Sequence, residues 1–173
     1  LMPVMQTFFE RGGAMIDSSP MYGTSEAVIG DLLTKAPRRQ RLFAATKVWT
    51  SGEERGITQM EESARRMNVK VFDLIAVHNL QDWQTQLDTL KNWKAEGKVR
   101  YIGVTTSHDR EHEALLHLMR SEPLDFVQFS YNIEDRAAES ELLPTAAGRG
   151  SATMINRPFQ RGAMFSRSRG TPS

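Results

Sequence analysis

Six short runs of apolar residues recur along the chain, at Ala14–Asp17, Leu42–Lys47, Phe72–His78, Tyr101–Thr105, Phe126–Tyr131 and Ala152–Asn156. They are near-continuous rather than alternating, which predicts strands covered on both faces, as in parallel sheets. The stretches between them carry helical spacing. Thr24–Leu33 sets Val28, Ile29, Leu32 and Leu33 on one stripe. Met60, Ala64 and Met67 line the inner face of the next helix, for which Thr58 and Glu61 predict a capping box. Asp82 is placed to cap a helix carrying Leu87 and Leu90, and Ala114, Leu115, Leu118 and Met119 mark another. A weaker helix is predicted over Ala137–Ala147. Ahead of the first strand, Met5, Phe8 and Phe9 share the face of a helix stopped by Gly12-Gly13.

Strand follows strand at about 30 residues, the length of a βαβ unit. The fold class is therefore α/β with a parallel sheet, and either a (β/α) barrel or an open doubly wound sheet satisfies it. No Gly-x-Gly-x-x-Gly follows a strand, which weakens the dinucleotide-binding open sheet, and Gly148-Arg149-Gly150 precedes a strand and reads as a loop. Residues 1–160 read as one domain. Residues 161–173, basic and rich in Gly and Ser, read as a loose tail.

Composition narrows the field only by exclusion. A net charge of +1 gives no case for a nucleic-acid partner, and Arg38-Arg39-Gln40-Arg41 reads as a solvated helix exit. The absence of cysteine excludes disulfides, thiolate catalysis and Cys-ligated metals. No apolar run reaches the ~20 residues that span a bilayer, and no signal peptide is visible, so a cytoplasmic protein without a membrane partner is expected. The opening Leu-Met-Pro leaves room for a lost leader.

Four side chains carry the chemistry. Asp17, Tyr22, Lys47 and His78 fall at or just past the C-terminal ends of successive strands, where parallel folds build their sites, so they are expected to converge. A phenol of pKa ~10 is a poor acid at neutral pH. A nearby ammonium is expected to lower that value, a buried carboxylate to hold the lysine charged, and an imidazole to bind a carbonyl oxygen. Such a set protonates an oxygen as negative charge develops on it, as in carbonyl reduction. A Schiff base on Lys47 is the other chemistry open to it. His108, His112 and His117 share one helix, but Arg110, Glu111 and Glu113 around them predict a solvated face and no metal site. Trp49 and Trp83 either line the pocket or pack.

Ile16-Asp17-Ser18-Ser19-Pro20-Met21-Tyr22-Gly23, then Ser25-Glu26 and Ile29-Gly30, resembles the signature of the aldo-keto reductases. Ala45-Thr46-Lys47 and Asp73-Leu74 through His78 follow in that family's order and spacing. The resemblance implies a parallel (β/α)8 TIM barrel, reduction of an aldehyde or ketone to an alcohol, and hydride transfer from NADPH. It implies Asp17, Tyr22, Lys47 and His78 as a catalytic tetrad, with Tyr22 the general acid and a small carbonyl compound the substrate. Gly103-Val104-Thr105-Thr106 resembles the family's Gly-Val-Ser-Asn turn, with Thr106 in place of the amide. Thr105, Thr106 and Gln128 are thereby implied at the nicotinamide carboxamide, Asn156 where the family often stacks an aromatic, and Arg157 near phosphate.

The six strands match the second through seventh of that barrel, and no Lys-Ser-x-x-x-x-Arg segment follows Phe159. The chain is expected to be an incomplete barrel of about six βα units, read as a piece of a longer product, with sheet edges that invite self-association. The alternative function is a cofactor-binding but catalytically inactive barrel.

Overall fold

The computed structural model describes residues 1–36, 42–107 and 111–168. Contacts divide the chain into two compact units, Leu1–Gly103 and Val104–Ser173. The cluster at 38–41, His108 and the last five residues lie outside the described residues.

The first unit alternates α1 (Met2–Glu10), β1 (Met15–Asp17), α2 (Ser25–Leu33), β2 (Phe43–Val48), α3 (Glu53–Met67), β3 (Phe72–His78) and α4 (Trp83–Ala95), and ends in the start of β4 (Val99–Thr105). Its strands lie in chain order, β1-β2-β3-β4. They are parallel where register is fixed, Asp17 beside Ala45 and Lys47 beside Ala76. Every residue of β3 is buried, as its unbroken apolar run predicts. Met60 and Met67 of α3 and Leu87, Leu90 and Trp93 of α4 are also buried. Met5, Phe9 and Leu33 form a separate cluster, with Phe8, Ile16, Ile29 and Leu32 packed on it.

Two expected helix starts differ. Helix α3 begins at Glu53, so Thr58 is interior and its hydroxyl bonds back to the Glu54 carbonyl, 2.9 Å. The start is set earlier because Gly52 takes φ 85°, and Glu53 and Glu54 fill the first turn, where negative charge complements the helix dipole. Asp82 does occupy the N-cap of α4, but its carboxylate accepts from the Gly52 N–H (2.7 Å) and the Thr85 hydroxyl (3.0 Å). It ties two loops together and leaves the helix N–H groups uncapped by side chain.

Strand starts are fastened at the other end. Asp73 Oδ2 accepts the Ala44 N–H at 2.8 Å, and Arg100 donates to Oδ1 at 2.6 Å. The Phe43 and Tyr101 rings stack beside this pair, centroids 6.1 Å apart and 11° from parallel.

The second unit contains the end of β4, α5 (His112–Ser121), β5 (Phe126–Ser130), a 3-10 turn (Ala137–Glu139), α6 (Leu142–Arg149) and β6 (Ala152–Asn156). Strands β5 and β6 are parallel, Gln128 beside Met154 and Ser130 beside Asn156. The expected helix over 137–147 thus splits into a turn and α6. Gly148 and Arg149 belong to the last turn of α6 instead of a loop. Gly150 alone leaves it, at φ 70°, in the left-handed conformation that ends helices. A second 3-10 turn (Gln160–Gly162) and α7 (Ala163–Ser168) occupy most of the stretch read as a loose tail.

Candidate active site

In the first unit, β1, β2 and β3 deliver Asp17, Lys47 and His78 at their C-terminal ends, and the loop after β1 delivers Tyr22. Lys47 is 1% exposed. Its Nζ donates to Asp17 Oδ2 at 2.6 Å and to the Ser18 carbonyl at 2.8 Å. The same Nζ lies 5.4 Å from the centre of the Tyr22 ring. Tyr22 and His78 meet edge to face, ring centres 5.9 Å apart and 87° between planes. The four predicted residues therefore come together. Trp49 joins them, its ring centre 6.5 Å from that of His78, whereas Trp83 opens α4.

The electrostatics differ from the expectation in one respect. The Tyr22 phenol is pushed above its ordinary 10.0 instead of below it, first by burial and then by Asp17, whose negative charge opposes a phenolate. The ammonium of Lys47 does not reverse this because Asp17 already balances its charge. The phenol therefore keeps its proton at neutral pH. Burial lowers the Lys47 pKa, opposed by the charge and hydrogen bond of Asp17 and by the charge of Glu26. The carboxylate is thus placed to keep the lysine charged, as expected, although Asp17 keeps a quarter of its side chain in solvent and is not buried. Burial first, and Lys47 second, bring His78 down to about 4, so its imidazole is neutral at pH 7.

Three further residues fix this arrangement, and none drew attention in the sequence as more than a motif letter or a strand breaker. Ser19 is buried, with Oγ 3.1 Å from His78 Nδ1. Ser18 is also buried and supplies the carbonyl that holds Lys47, while its hydroxyl lies 3.0 Å from that of Ser25. Glu26, 1% exposed, accepts from the Thr46 hydroxyl at 2.7 Å and sits 3.6 Å from Arg66. A charged residue inside an otherwise apolar helix stripe is the signal that could have flagged Glu26.

The predicted cofactor residues all belong to the second unit. Thr105 ends β4, Thr106 follows it and Gln128 lies in the middle of β5, and all three are buried. The Thr106 N–H donates to the Gln128 carbonyl (2.9 Å), and the Asn156 side-chain amide donates to the Thr106 carbonyl (3.2 Å). Arg157 follows at φ 53°, and its carbonyl accepts from the Asn132 amide at 3.2 Å. Thr105, Thr106, Asn156 and Arg157 thus lie at strand ends and adjoining turns, with Gln128 of β5 joined to them through Thr106. Thr106 Oγ1 and Ser130 Oγ are buried without a hydrogen-bond partner. A buried hydroxyl without a partner is costly unless a ligand satisfies it. This donor and acceptor set fits an amide such as a nicotinamide carboxamide. Among the described residues, no group of three or more His, Asp or Glu is placed to hold a metal ion, and no helix is long and apolar enough to cross a membrane.

Comparison with known proteins gives one consistent result. The family model described as "Aldo/keto reductase family" matches residues 1–173. A methylglyoxal reductase of Escherichia coli (strain K12), YeaE, is 30% identical over 156 residues, covering 87% of this chain and 54% of that protein. An NADH-specific methylglyoxal reductase of the same organism is 28% identical over 185 residues, covering 87% and 53%. The chain thus spans about half the length of the curated relatives it matches. Among solved structures, an aldo-keto reductase from Klebsiella pneumoniae in complex with NADPH superimposes with a TM-score of 0.77 at 24% identity, covering 93% of this chain and 58% of that one. A holo-form aldo-keto reductase from Bacillus halodurans gives 0.77 at 22% identity, with the same coverage. The fold shared with them is the (β/α)8 barrel, present here in part.

Proposed function

Because this chain belongs to the aldo/keto reductase family, we propose that it reduces a small aldehyde or ketone to the alcohol, with Tyr22 as general acid. The observation that carries the reading is the meeting of Asp17, Tyr22, Lys47 and His78 at three strand ends and one loop. When bound, a nicotinamide cofactor, taken here as NADPH, would supply the hydride for the carbonyl carbon. As the carbon–oxygen π bond breaks, the oxygen gains negative charge, and the Tyr22 hydroxyl gives it a proton. Lys47 stands near the ring that then carries the charge, and Asp17 holds Lys47 in place. Neutral His78 can donate a hydrogen bond to the same oxygen without competing for its proton. Thr105, Thr106, Gln128 and Asn156 would hold the cofactor's carboxamide, and Arg157 would meet its phosphate. The names of the relatives make methylglyoxal the first compound to try.

A Schiff base on Lys47 is disfavoured, since its nitrogen is buried and already donates to two acceptors. The span of about half the relatives' length keeps one other reading in play, a barrel that binds cofactor without turning over. One experiment addresses both. NADPH and NADH are titrated into this chain, following the fluorescence of Trp49 and its fellow tryptophans, and methylglyoxal reduction is assayed in the same sample. Binding with turnover supports the reductase, and binding without turnover supports the inactive barrel. Turnover that survives Tyr22→Phe sinks the role of Tyr22.

A further inference from the structure

We propose that Ser19 is a positioning residue that decides which nitrogen of His78 carries the proton. The inference deepens the reductase reading and rests on it for its functional meaning. Ser19 lies on the loop leaving β1, two residues after Asp17, and is fully buried. Its Oγ is 3.1 Å from Nδ1 of His78, which ends β3 and is 5% exposed. The Ser19 hydroxyl is taken as the donor in this pair, and a second contact is consistent with that direction. The Met21 backbone N–H donates to the same Oγ at 3.4 Å. The oxygen thus already accepts on one side, and its own proton is free to point at Nδ1.

A neutral imidazole has one N–H and one lone pair, and the partner of one nitrogen fixes the state of the other. His78 is neutral at pH 7, because burial and the Lys47 ammonium, facing Asp17 beside it, oppose a charged ring. With Nδ1 accepting from Ser19, the proton resides on Nε2. That nitrogen then presents a donor to a carbonyl oxygen. The opposite tautomer would present a lone pair and repel the oxygen as it becomes negative. The groups around the ring do not do this work. Tyr22 and Trp49 meet it through ring contacts, while Lys47 and Asp17 act on it through charge.

The test reads the tautomer directly. Long-range ¹H–¹⁵N correlation spectra of the imidazoles are recorded on the full chain at pH 7, with His78 assigned by its loss in His78→Gln. The unsubstituted chain is expected to show the Nε2–H form. Ser19→Ala is expected to give a mixture of tautomers, and Ser19→Thr, which keeps an oxygen at that place, to restore the single form. In turnover, Ser19→Ala should lower kcat by roughly fivefold to tenfold, the worth of one neutral hydrogen bond, with cofactor affinity unchanged. An Nδ1–H signal for His78 in the unsubstituted chain overturns the proposal even if no Ser19 variant folds, as does an unaltered Nε2–H signal in Ser19→Ala. The spectra need no turnover. A chain without reductase activity would therefore refute the function while leaving the assignment of Ser19 to be judged separately.

Discussion

At the scale of single residues, the chemistry turns on protons held where they are needed. Tyr22→Phe removes the acid but keeps the ring against His78, so folding should persist while kcat falls by about 10²- to 10⁴-fold. Steady-state kinetics beside a thermal melt would check both halves. His78 makes the pH dependence specific. Its pKa is about 4 in the fold against an ordinary 6.5. Above 6.5, neither folded nor unfolded chain protonates this ring. Below it, the unfolded chain takes up the proton first, so stability should decline as pH falls from about 6.5 through about 4. Melting temperatures across that range should drop more steeply for the natural chain than for His78→Gln. Asp17, Lys47 and His78 were legible in the sequence because a strand end marks its own address. The pKa direction of Tyr22 was not, because it depends on how far Asp17 has already neutralised Lys47, a matter of ångströms.

At the scale of elements, the packing of α2 on α3 is unusually intolerant. A Cβ added at Gly30 would come within 2.0 Å of the Arg66 carbonyl oxygen, which is main chain and cannot swing aside. Gly30→Ala should therefore cost about 1–3 kcal/mol, measured by denaturant unfolding, through a forced shift between the helices. Glu26 joins the same two helices to β2. Glu26→Ala would strip the buried Thr46 hydroxyl of its acceptor and should destabilise by about 1–3 kcal/mol, whereas Glu26→Gln keeps an acceptor and should cost less. The apolar periodicity of these elements was plain in the sequence, and so were most of their boundaries. The start of α3 was not, because Thr58 and Glu61 have capping-box spacing by coincidence and the deciding residue is Gly52 with its positive φ. Asp82 shows the converse, a residue read correctly by place whose side chain serves another loop.

At the scale of the molecule, strand β1 lies at the end of the strand order, and an apolar groove of about 530 Å³ runs beside it, lined by Val4, Phe8, Ile16, Val28, Ile29 and Leu32 among others. Unpaired strand edges next to apolar surface favour association. The 173-residue chain is expected to self-associate in a concentration-dependent way, read by sedimentation or light scattering, and replacing Val28 with Lys should shift it towards monomer. A concentration-independent monomer would refute this. The pattern of apolar runs announced the strands, but the groove required knowing which faces α1 and α2 turn to each other. Asp73, Arg100, Phe43 and Tyr101 fasten together the beginnings of β2, β3 and β4, and the ends of β2 and β3 hold Lys47 and His78. Robustness and reactivity thus occupy opposite poles of the same strands. An engineer could harden one pole against heat, or a lineage could drift there, while the other pole keeps its chemistry, and substrate range could be rewritten at the reactive pole without loosening the fastening.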